Sequence, residues 1–197
     1  MRTEATTGTR EQLLAAAERL LAEAPYDDVS VRAINTAAGM NPAAVHYHFG
    51  SKDDLVAALL EDRLAPRWQG QLDDLEARRE AGWKPAVAEL VDLVLAPFTE
   101  LAADPLGRLH LRLLARVVLG RRRVRWTAHW FRLRPWTELL REARPELSVP
   151  EARRRWLLAF DLIMQTIGAP LAGDADVGPA TTATLRTFLT AGLEAKP

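Results

Sequence analysis

The chain has 197 residues, of which 48% are hydrophobic, with 26 basic and 26 acidic side chains and no cysteine. This composition predicts a globular protein of one large or two small domains, and it excludes disulfide frameworks, thiolate metal sites and cysteine nucleophiles. The N-terminus lacks the apolar segment of a signal peptide, and no apolar run approaches ~18 residues, so we expect a cytoplasmic protein without membrane contact.

The first predicted helix opens at Thr9, where Gln12 three residues later completes a capping box. We expect Pro25 to end this helix. Its apolar residues follow helical spacing and predict one buried face. They are Leu13, Leu14, Ala17, Leu20 and Leu21.

Two short helices follow. Ser30 is a favourable N-cap for the first, and Gly39 suits a tight turn because it takes positive φ at no steric cost. Asn41 caps the second, with Pro42 at its first position. Two short helices joined by a turn containing glycine predict a helix-turn-helix unit, whose second helix enters the DNA major groove.

A second capping box, Ser51 with Asp54, opens a helix that we expect to run to about Leu64. Pro66 and Gly70 fall where this helix would bend or end. Such a helix would link the helix-turn-helix unit mechanically to the rest of the chain.

Residues 9–64 resemble the DNA-binding domain of the TetR/AcrR family of transcriptional regulators. The resemblance is carried by Thr9-Arg10, Ser30-Val31-Arg32-Ala33-Ile34, Ala38-Gly39, Ala44-Val45-His46-Tyr47-His48-Phe49-Gly50-Ser51-Lys52 and Leu55. It implies a DNA-binding set consisting of Ser30, Arg32, Pro42, Ala43, Ala44, His46, Tyr47 and Lys52.

Within this set, the resemblance implies that Ser30, Tyr47 and Lys52 hold phosphates, and Arg32 could contact guanine through two hydrogen bonds. The alternative for Arg32 is an ordinary solvated position. His48 and Phe49 are expected in the domain core. Asn35, where the family usually has alanine, is predicted to be a neutral surface residue.

The charge of the N-terminal region counts against DNA binding. Residues 1–54 contain five basic and eight acidic side chains, a net charge of −3. DNA phosphates are bound by a few positioned donors and helix N-termini, so a negative net charge of the whole domain does not exclude DNA binding. It predicts weak binding to non-specific DNA.

From Trp83 onward the pattern is helical, with proline and glycine between helices. The predicted helices span residues 84–103, 105–119, 126–130, 135–143, 150–169 and 180–193. The helix at 150–169, capped by Ser148 with Glu151, is apolar on more than one side. The pattern contains no alternating β segment of useful length.

The resemblance implies that the last two helices form a four-helix bundle with those of a second copy. The alternative is that the helix at 150–169 is the central core helix of a monomer. The residues predicted for the dimer interface are Trp156, Ile163, Ile167, Leu185, Phe188 and Leu189.

An arginine-rich stretch, residues 105–134, contains nine arginines and no acidic residue. It indicates either a site for an anionic ligand or nucleic acid, or a solvated face paired with acids such as Asp73, Asp74, Glu76 and Glu80. We favour the solvated or paired face.

All six tryptophans lie beyond residue 67, where they could line a ligand pocket or fill a core. Asp161 and Gln165 interrupt an apolar run, so each needs a polar partner if buried. The predicted pocket residues are Trp68, Trp126, Trp130, Phe160, Asp161, Met164 and Gln165.

These features predict an all-α fold. Residues 1–50 form a three-helix helix-turn-helix DNA-binding domain, 51–65 a connecting helix, and 66–197 a larger helical domain for effector binding and dimerisation. The resemblance implies a homodimeric repressor that binds a pseudo-palindromic double-stranded DNA operator and responds to a small, largely apolar molecule.

Two alternatives remain open: a DNA-binding or architectural regulator with no ligand, and a helical protein-interaction dimer whose DNA-reading end is weakened. Catalysis is not expected, because no histidine has a carboxylate at dyad or metal-ligand spacing and no phosphate-binding glycine loop is present. We expect no cofactor and no metal.

Overall fold

The computed structural model describes residues 2–169 and 177–196, and every regular element in these ranges is helical. The α-helices are α1 (Arg2–Glu23), α2 (Val31–Ala37), α3 (Ala44–Phe49), α4 (Lys52–Glu80), α5 (Val87–Ala102), α6 (Pro105–Leu119), α7 (Leu133–Ala143), α8 (Val149–Ile163) and α9 (Pro179–Glu194). Short 3-10 turns at Tyr26–Asp28 and His129–Phe131 and a π-turn at Met164–Gly168 complete them. The all-α prediction is confirmed.

The N-terminal domain packs α1 against α2, α3 and the start of α4. Leu13 and Leu14 of α1 are fully buried with Ile34, Val45 and Leu55 from the other three helices. The helix α1 begins at Arg2, so Thr9 lies inside it and the predicted cap at Thr9 is wrong. Pro25 follows the end of α1, as predicted.

The helix α4 is longer than predicted, with 29 residues that continue through Pro66 and Gly70 to Glu80. Pro66 removes one backbone donor, which alone favours a break. Trp68 and Leu72 are buried beyond it, and this packing outweighs the local cost. The predicted end near Leu64 is therefore wrong, whereas the division at residues 50 and 65 stays a prediction.

The C-terminal part surrounds a core shared by α4 to α9. The cap of α8 follows the prediction, because Ser148 accepts a hydrogen bond from the Glu151 N–H. The helix α6 has a similar cap, in which Asp104 accepts a hydrogen bond from the Gly107 N–H. The predicted helix at 126–130 is wrong. Trp126 instead lies in an irregular segment that precedes a single 3-10 turn.

The end of α8 differs from a regular helix. At Met164–Gly168 the chain makes a π-turn packed against α6. A β-carbon on Gly168 would lie 2.8 Å from the Ala115 β-carbon and 2.9 Å from the Leu111 carbonyl oxygen. Only glycine allows this approach, which fixes α8 against α6.

Candidate nucleic-acid interface and cavity

The turn between α2 and α3 has the predicted Ser30 cap and the predicted positive φ at Gly39, but the predicted start of the second helix is wrong. The helix α3 begins at Ala44 with Ala43 as its N-cap, so Asn41 and Pro42 precede it. The Ser30 side chain accepts a hydrogen bond from the Ala33 N–H at 3.0 Å, and Gly39 has a φ of 67°. Asn41 Oδ1 accepts the Ala43 N–H at 2.9 Å, so Pro42 and Ala43 form a turn that leads into α3. The turn before α3, residues 41–43, is exposed to solvent.

Asn35 is a structural residue of this turn, and its prediction as a neutral surface position is wrong. Its side chain is 1% exposed. Asn35 Nδ2 donates to the Pro42 carbonyl at 2.7 Å, and Oδ1 accepts the Val45 N–H at 3.1 Å. Because Val45 lies in the first turn of α3, Asn35 of α2 satisfies an N–H that has no acceptor within that helix.

Most of the predicted DNA-binding residues are exposed to solvent. Tyr47 is 83% exposed, and solvent also reaches a group of neighbours on α2 and α3. These neighbours are Ser30, Arg32, Pro42, Ala43 and His46. Ala44 is only 5% exposed and packs into the domain core, so it offers little to a ligand on this surface.

The histidines of α3 differ in their surroundings. His46 Nδ1 lies 3.0 Å from the Gly50 carbonyl oxygen, which can only accept, so Nδ1 carries the proton in that contact. Its Nε2 is left facing solvent. His48 and Phe49 are half-buried, and the Arg10 guanidinium lies 5.5 Å from the Phe49 ring centre.

Lys52 is held by the N-terminal domain itself. Its ammonium donates to the Tyr26 carbonyl and lies 3.8 Å from the Tyr26 ring centre. Burial lowers the pKa of Lys52, and burial together with the hydrogen bond to Asp53 raises the pKa of Tyr26. The predicted phosphate contact of Lys52 would have to compete with these interactions.

Tyr26 also joins the two halves of the chain. Arg116 of α6 lies 4.3 Å above its ring and forms an ion pair of 2.6 Å with Asp27. Asp53, which accepts the Tyr26 hydroxyl, lies 3.4 Å from an Arg122 nitrogen. The end of α6 therefore touches the loop before α2 and the start of α4.

A buried carboxylate, Glu61 of α4, holds the α6–α7 loop (residues 120–132). It accepts the Thr127 N–H at 2.5 Å, the Thr127 hydroxyl at 2.6 Å and the Ala128 N–H at 2.8 Å. Asp54 accepts the Arg125 N–H at 3.3 Å. These contacts attach the loop to the first three turns of α4.

A second connection runs through α1. His110 of α6 is buried, and its Nε2 lies 2.7 Å from Glu18. The other oxygen of Glu18 accepts from Arg63 of α4 at 3.1 Å, and Arg63 also pairs with Glu11 at 2.8 Å. Hydrogen bonds to Glu11 and Glu18 raise the pKa of Arg63. No sequence motif pointed to Glu61 or to this network, because each contact joins residues far apart in the chain.

A cavity of about 1180 Å³ lies between α4 and α8, bounded by α5, α6, α7 and the α6–α7 loop. Five of the seven predicted pocket residues line it: Trp68, Trp126, Trp130, Phe160 and Met164. Asp161 and Gln165 are not part of the lining, because the turn of α8 that directs Phe160 and Met164 into the cavity directs them elsewhere. Their assignment to the pocket does not hold.

Two groups of aromatic rings line this cavity. Trp130 and Trp136 lie 5.4 Å apart edge to face, and the Trp136 Nε1–H donates to the Trp130 carbonyl at 2.9 Å. Phe160 packs against Trp136 at 6.1 Å. Trp126 and Phe131 form a further pair at 5.2 Å.

The predicted dimer residues are mostly internal to the protomer. Trp156, Ile163, Ile167, Leu185 and Leu189 are buried in its core, so they cannot themselves form an exposed interface. Phe188 is 68% exposed, and Leu158 of α8 is 70% exposed. On α8 the exposed apolar residue is therefore Leu158, which was not predicted, whereas on α9 it is the predicted Phe188.

The arginine-rich stretch has three carboxylate pairs among the described residues. Arg116 pairs with Asp27, Arg122 with Asp53 and Arg134 with Glu138. None of the four acids named in the sequence prediction takes part in these pairs. Within the described ranges, no helix is both long and apolar enough to cross a membrane.

Comparison with known proteins gives the N-terminal domain a family. Residues 13–59 match the family described as bacterial regulatory proteins, tetR family. The HTH-type transcriptional repressor AcnR of Corynebacterium glutamicum is 36% identical over 59 residues, which cover 30% of this chain and 31% of that protein. The uncharacterized HTH-type transcriptional regulator YwcC of Bacillus subtilis is 41% identical over 70 residues, 34% of this chain and 31% of that protein.

The matched stretch thus spans about a third of the length of these curated relatives. The whole fold has a counterpart among solved structures. The crystal structure of a TetR-family regulator from Streptomyces coelicolor aligns with a TM-score of 0.55 and 21% identity, over 96% of both chains. This likeness extends the shared fold through the C-terminal helices.

Proposed function

We propose, from the premise that the chain belongs to the TetR family of bacterial regulatory proteins, that it is a ligand-responsive transcriptional repressor. It binds a pseudo-palindromic operator as a homodimer. One observation carries the proposal: the loop that lines the cavity is hydrogen-bonded to α4, and α4 begins at Lys52, directly after the exposed helix α3.

The DNA-reading surface is the exposed side of α2 and α3. Arg32 can donate two hydrogen bonds to a guanine edge, and Tyr47 lies within the same surface. Since His46 Nδ1 donates to Gly50, neutral His46 offers Nε2 as an acceptor, which suits the amino group of adenine or cytosine. Ser30 and the N–H groups at the start of α2 suit a phosphate.

The dimer brings two such surfaces to adjacent turns of the major groove, about 34–36 Å apart. Leu158 of α8 and Phe188 of α9 provide exposed apolar side chains on the two helices that the family pairs with a second copy. Covering them removes apolar area from water, which favours association.

A ligand in the cavity acts through the α6–α7 loop. Glu61 and Asp54 hold this loop on α4, so a displaced loop changes the position of α4 and thereby the spacing of the recognition helices. The ligand can do this only by binding the two conformations with different affinities. The ligand thereby shifts the population from the conformation that binds DNA to the one that does not.

The two alternative functions have less support. A regulator without a ligand would be favoured by a fully packed C-terminal core, and the cavity of about 1180 Å³ counts against this. A weakened DNA reader was supported by the acidic N-terminal domain. Four of its acids, Glu11, Glu18, Asp27 and Asp53, are paired with basic side chains of α4, α6 and the α6–α7 loop.

The test is binding of the purified protein to the promoter DNA beside its own gene, at two salt concentrations. A footprint of two symmetric half-sites is expected. Arg32→Ala should lose about 1–3 kcal/mol of discrimination at one base position. Lys52→Ala should weaken binding to every sequence alike and reduce the salt dependence.

Absent binding, or equal binding to any DNA, would contradict the proposal and favour the protein-interaction dimer. Equal effects of both substitutions on all sequences would contradict only the assigned residue roles. Arg19→Ala serves as a control, because Arg19 is an exposed arginine of α1 outside the proposed surface.

A further inference from the structure

The cavity combines an aromatic wall with a set of arginines. Among the described residues, five arginines of the α6–α7 loop and α8 line it, together with one acidic residue, Glu76. The arginines are Arg121, Arg122, Arg125, Arg132 and Arg153. This excess of positive charge is not what a site for a purely apolar molecule requires.

The partners of these five arginines differ. Arg122 lies 3.4 Å from Asp53, and Arg132 donates only to the backbone carbonyls of Trp126 and Thr127, at 3.2 and 3.0 Å. The side chains of Arg121, Arg125 and Arg153 have no hydrogen-bond or ion-pair partner within the part of the chain that the structure describes. Among the described residues, three arginines at one cavity therefore have no carboxylate partner, and all three side chains are exposed to solvent.

Arginines of the same segments that lie outside the cavity have carboxylate partners in several cases. Arg116 and Arg134 pair with Asp27 and Glu138, and Arg154, next to Arg153 on α8, pairs with Glu151. Arg112 and Arg123 also lie outside the cavity and have no carboxylate partner among the described residues, so the case for an anion rests on the arginines of the lining. An anion at the cavity would reduce the repulsion between these like charges.

The arginines and the aromatic residues of the cavity together indicate the chemical class of the ligand. Guanidinium groups bind planar carboxylates and phosphates through paired, charge-assisted hydrogen bonds. The wall of Trp126, Trp130, Trp136 and Phe160 suits an aromatic or acyl body. The volume exceeds that of many ligand pockets, about 300–1000 Å³, so a body and a hydrated head group both fit.

We propose that the effector is an amphipathic organic anion, with an apolar aromatic or acyl body against the tryptophan wall and a carboxylate or phosphate head bound by Arg121, Arg125 and Arg153. This rests on the proposed function in taking the cavity as the effector site. It replaces the sequence-based expectation of a largely apolar effector with a charged one.

The test uses anilinonaphthalene sulfonate, an aromatic anion whose fluorescence rises in apolar sites, and the full-length protein. Arg125→Gln and Arg153→Gln should each weaken its binding about tenfold, the cost of one charge-assisted hydrogen bond. The matched controls are Arg123→Gln and Arg154→Gln, which change neighbouring arginines outside the lining and should leave binding within about twofold.

Competition then identifies the head group. Decanoate and decyl phosphate should displace the probe, and decanol, which has the same chain without charge, should not. Stronger displacement by one of the two anions separates a carboxylate effector from a phosphate effector. Equal displacement by decanol, or equal loss of binding in all four variants, would overturn the proposal.

The same anions are tested for release of promoter DNA. An anion that binds in an arginine-dependent manner without changing DNA affinity would support the ligand class and contradict the proposed regulation. Release of DNA by decanol, with no effect of decanoate, would support the regulation and overturn the ligand class. The two hypotheses therefore fail separately.

Discussion

At the scale of single residues, Asn35 shows how one side chain supports the proposed DNA-reading surface. It connects α2 to the first turn of α3 by accepting the Val45 N–H and donating to the Pro42 carbonyl. We expect Asn35→Ala to lower the free energy of unfolding by about 1–3 kcal/mol, because the buried Val45 N–H would lose its acceptor. Urea denaturation measures this change.

Thr36→Ala is the control for this substitution, because Thr36 is the exposed neighbour on the same short helix. Its effect should stay within about 0.5 kcal/mol. Equal stability of the two variants would show that water or a shifted α3 satisfies the Val45 N–H. Affinity for operator DNA should fall with Asn35→Ala in parallel, because α3 would lose its support.

The role of Asn35 could not be predicted from the sequence. Its two hydrogen bonds reach 7 and 10 residues along the chain, and the seven-residue helix α2 has too few apolar positions to show which side α3 covers. The Ser30 and Ser51 caps were predictable, because a cap involves a side chain and an N–H three residues later.

At the scale of the helices, the α6–α7 loop and α4 behave as one unit in the structure. Glu61→Gln should loosen this unit, because an amide cannot accept as many hydrogen bonds as the carboxylate that now binds Thr127 and Ala128. We expect faster hydrogen exchange at the Thr127 and Ala128 amides, and also at the start of α4. Exchange followed by mass spectrometry measures both.

Two substitutions at Thr127 serve as a matched pair of variants for this exchange experiment. Thr127→Val removes only the hydroxyl that donates to Glu61, whereas Thr127→Ser keeps it. The valine variant should show part of the Glu61→Gln effect and the serine variant none. Faster exchange in the loop with unchanged exchange at the start of α4 would contradict the route from cavity to DNA.

The boundaries of the elements were predictable where local signals agree with packing. Asp104 and Ser148 open α6 and α8 as their capping patterns indicate. The failures occurred where tertiary packing decides. Trp68 and Leu72 are buried beyond Pro66 and keep α4 helical, whereas the apolar residues near Trp126 face the cavity from a loop.

The cavity was predictable only in part for a related reason. Aromatic residues in the C-terminal half indicate a possible lining, and five of the seven predicted residues do line it. Which arginines lack a partner depends on acids such as Asp27 and Asp53, far away in the sequence. Composition alone therefore favoured paired or solvated arginines.

At the scale of the whole molecule, the zero net charge results from two complementary parts. The N-terminal 54 residues have a net charge of −3, and several of their acids face α4 and α6. Glu18 meets Arg63 and His110, and Asp27 meets Arg116. These ion pairs join the N-terminal helices to the rest of the chain, and they neutralise acids that would otherwise repel DNA at the proposed surface of α2 and α3.

The proposed dimer can be tested by changing the exposed apolar side chains of its last two helices. Phe188→Glu combined with Leu158→Glu should convert a dimer into a monomer, because burying two carboxylates in an apolar interface is unfavourable. Sedimentation equilibrium measures the mass. The unfolding free energy of the isolated protomer should change little, because both side chains lie outside its core.

Leu106→Glu is the control, because Leu106 is an exposed leucine at the start of α6. This variant should remain a dimer. The double variant should protect only half of the operator, and only weakly, since each protomer of the proposed dimer would contact one half-site. A double variant that keeps the wild-type mass would place any interface away from Leu158 and Phe188. The two recognition helices would then have to be positioned on DNA by another surface of the protomer.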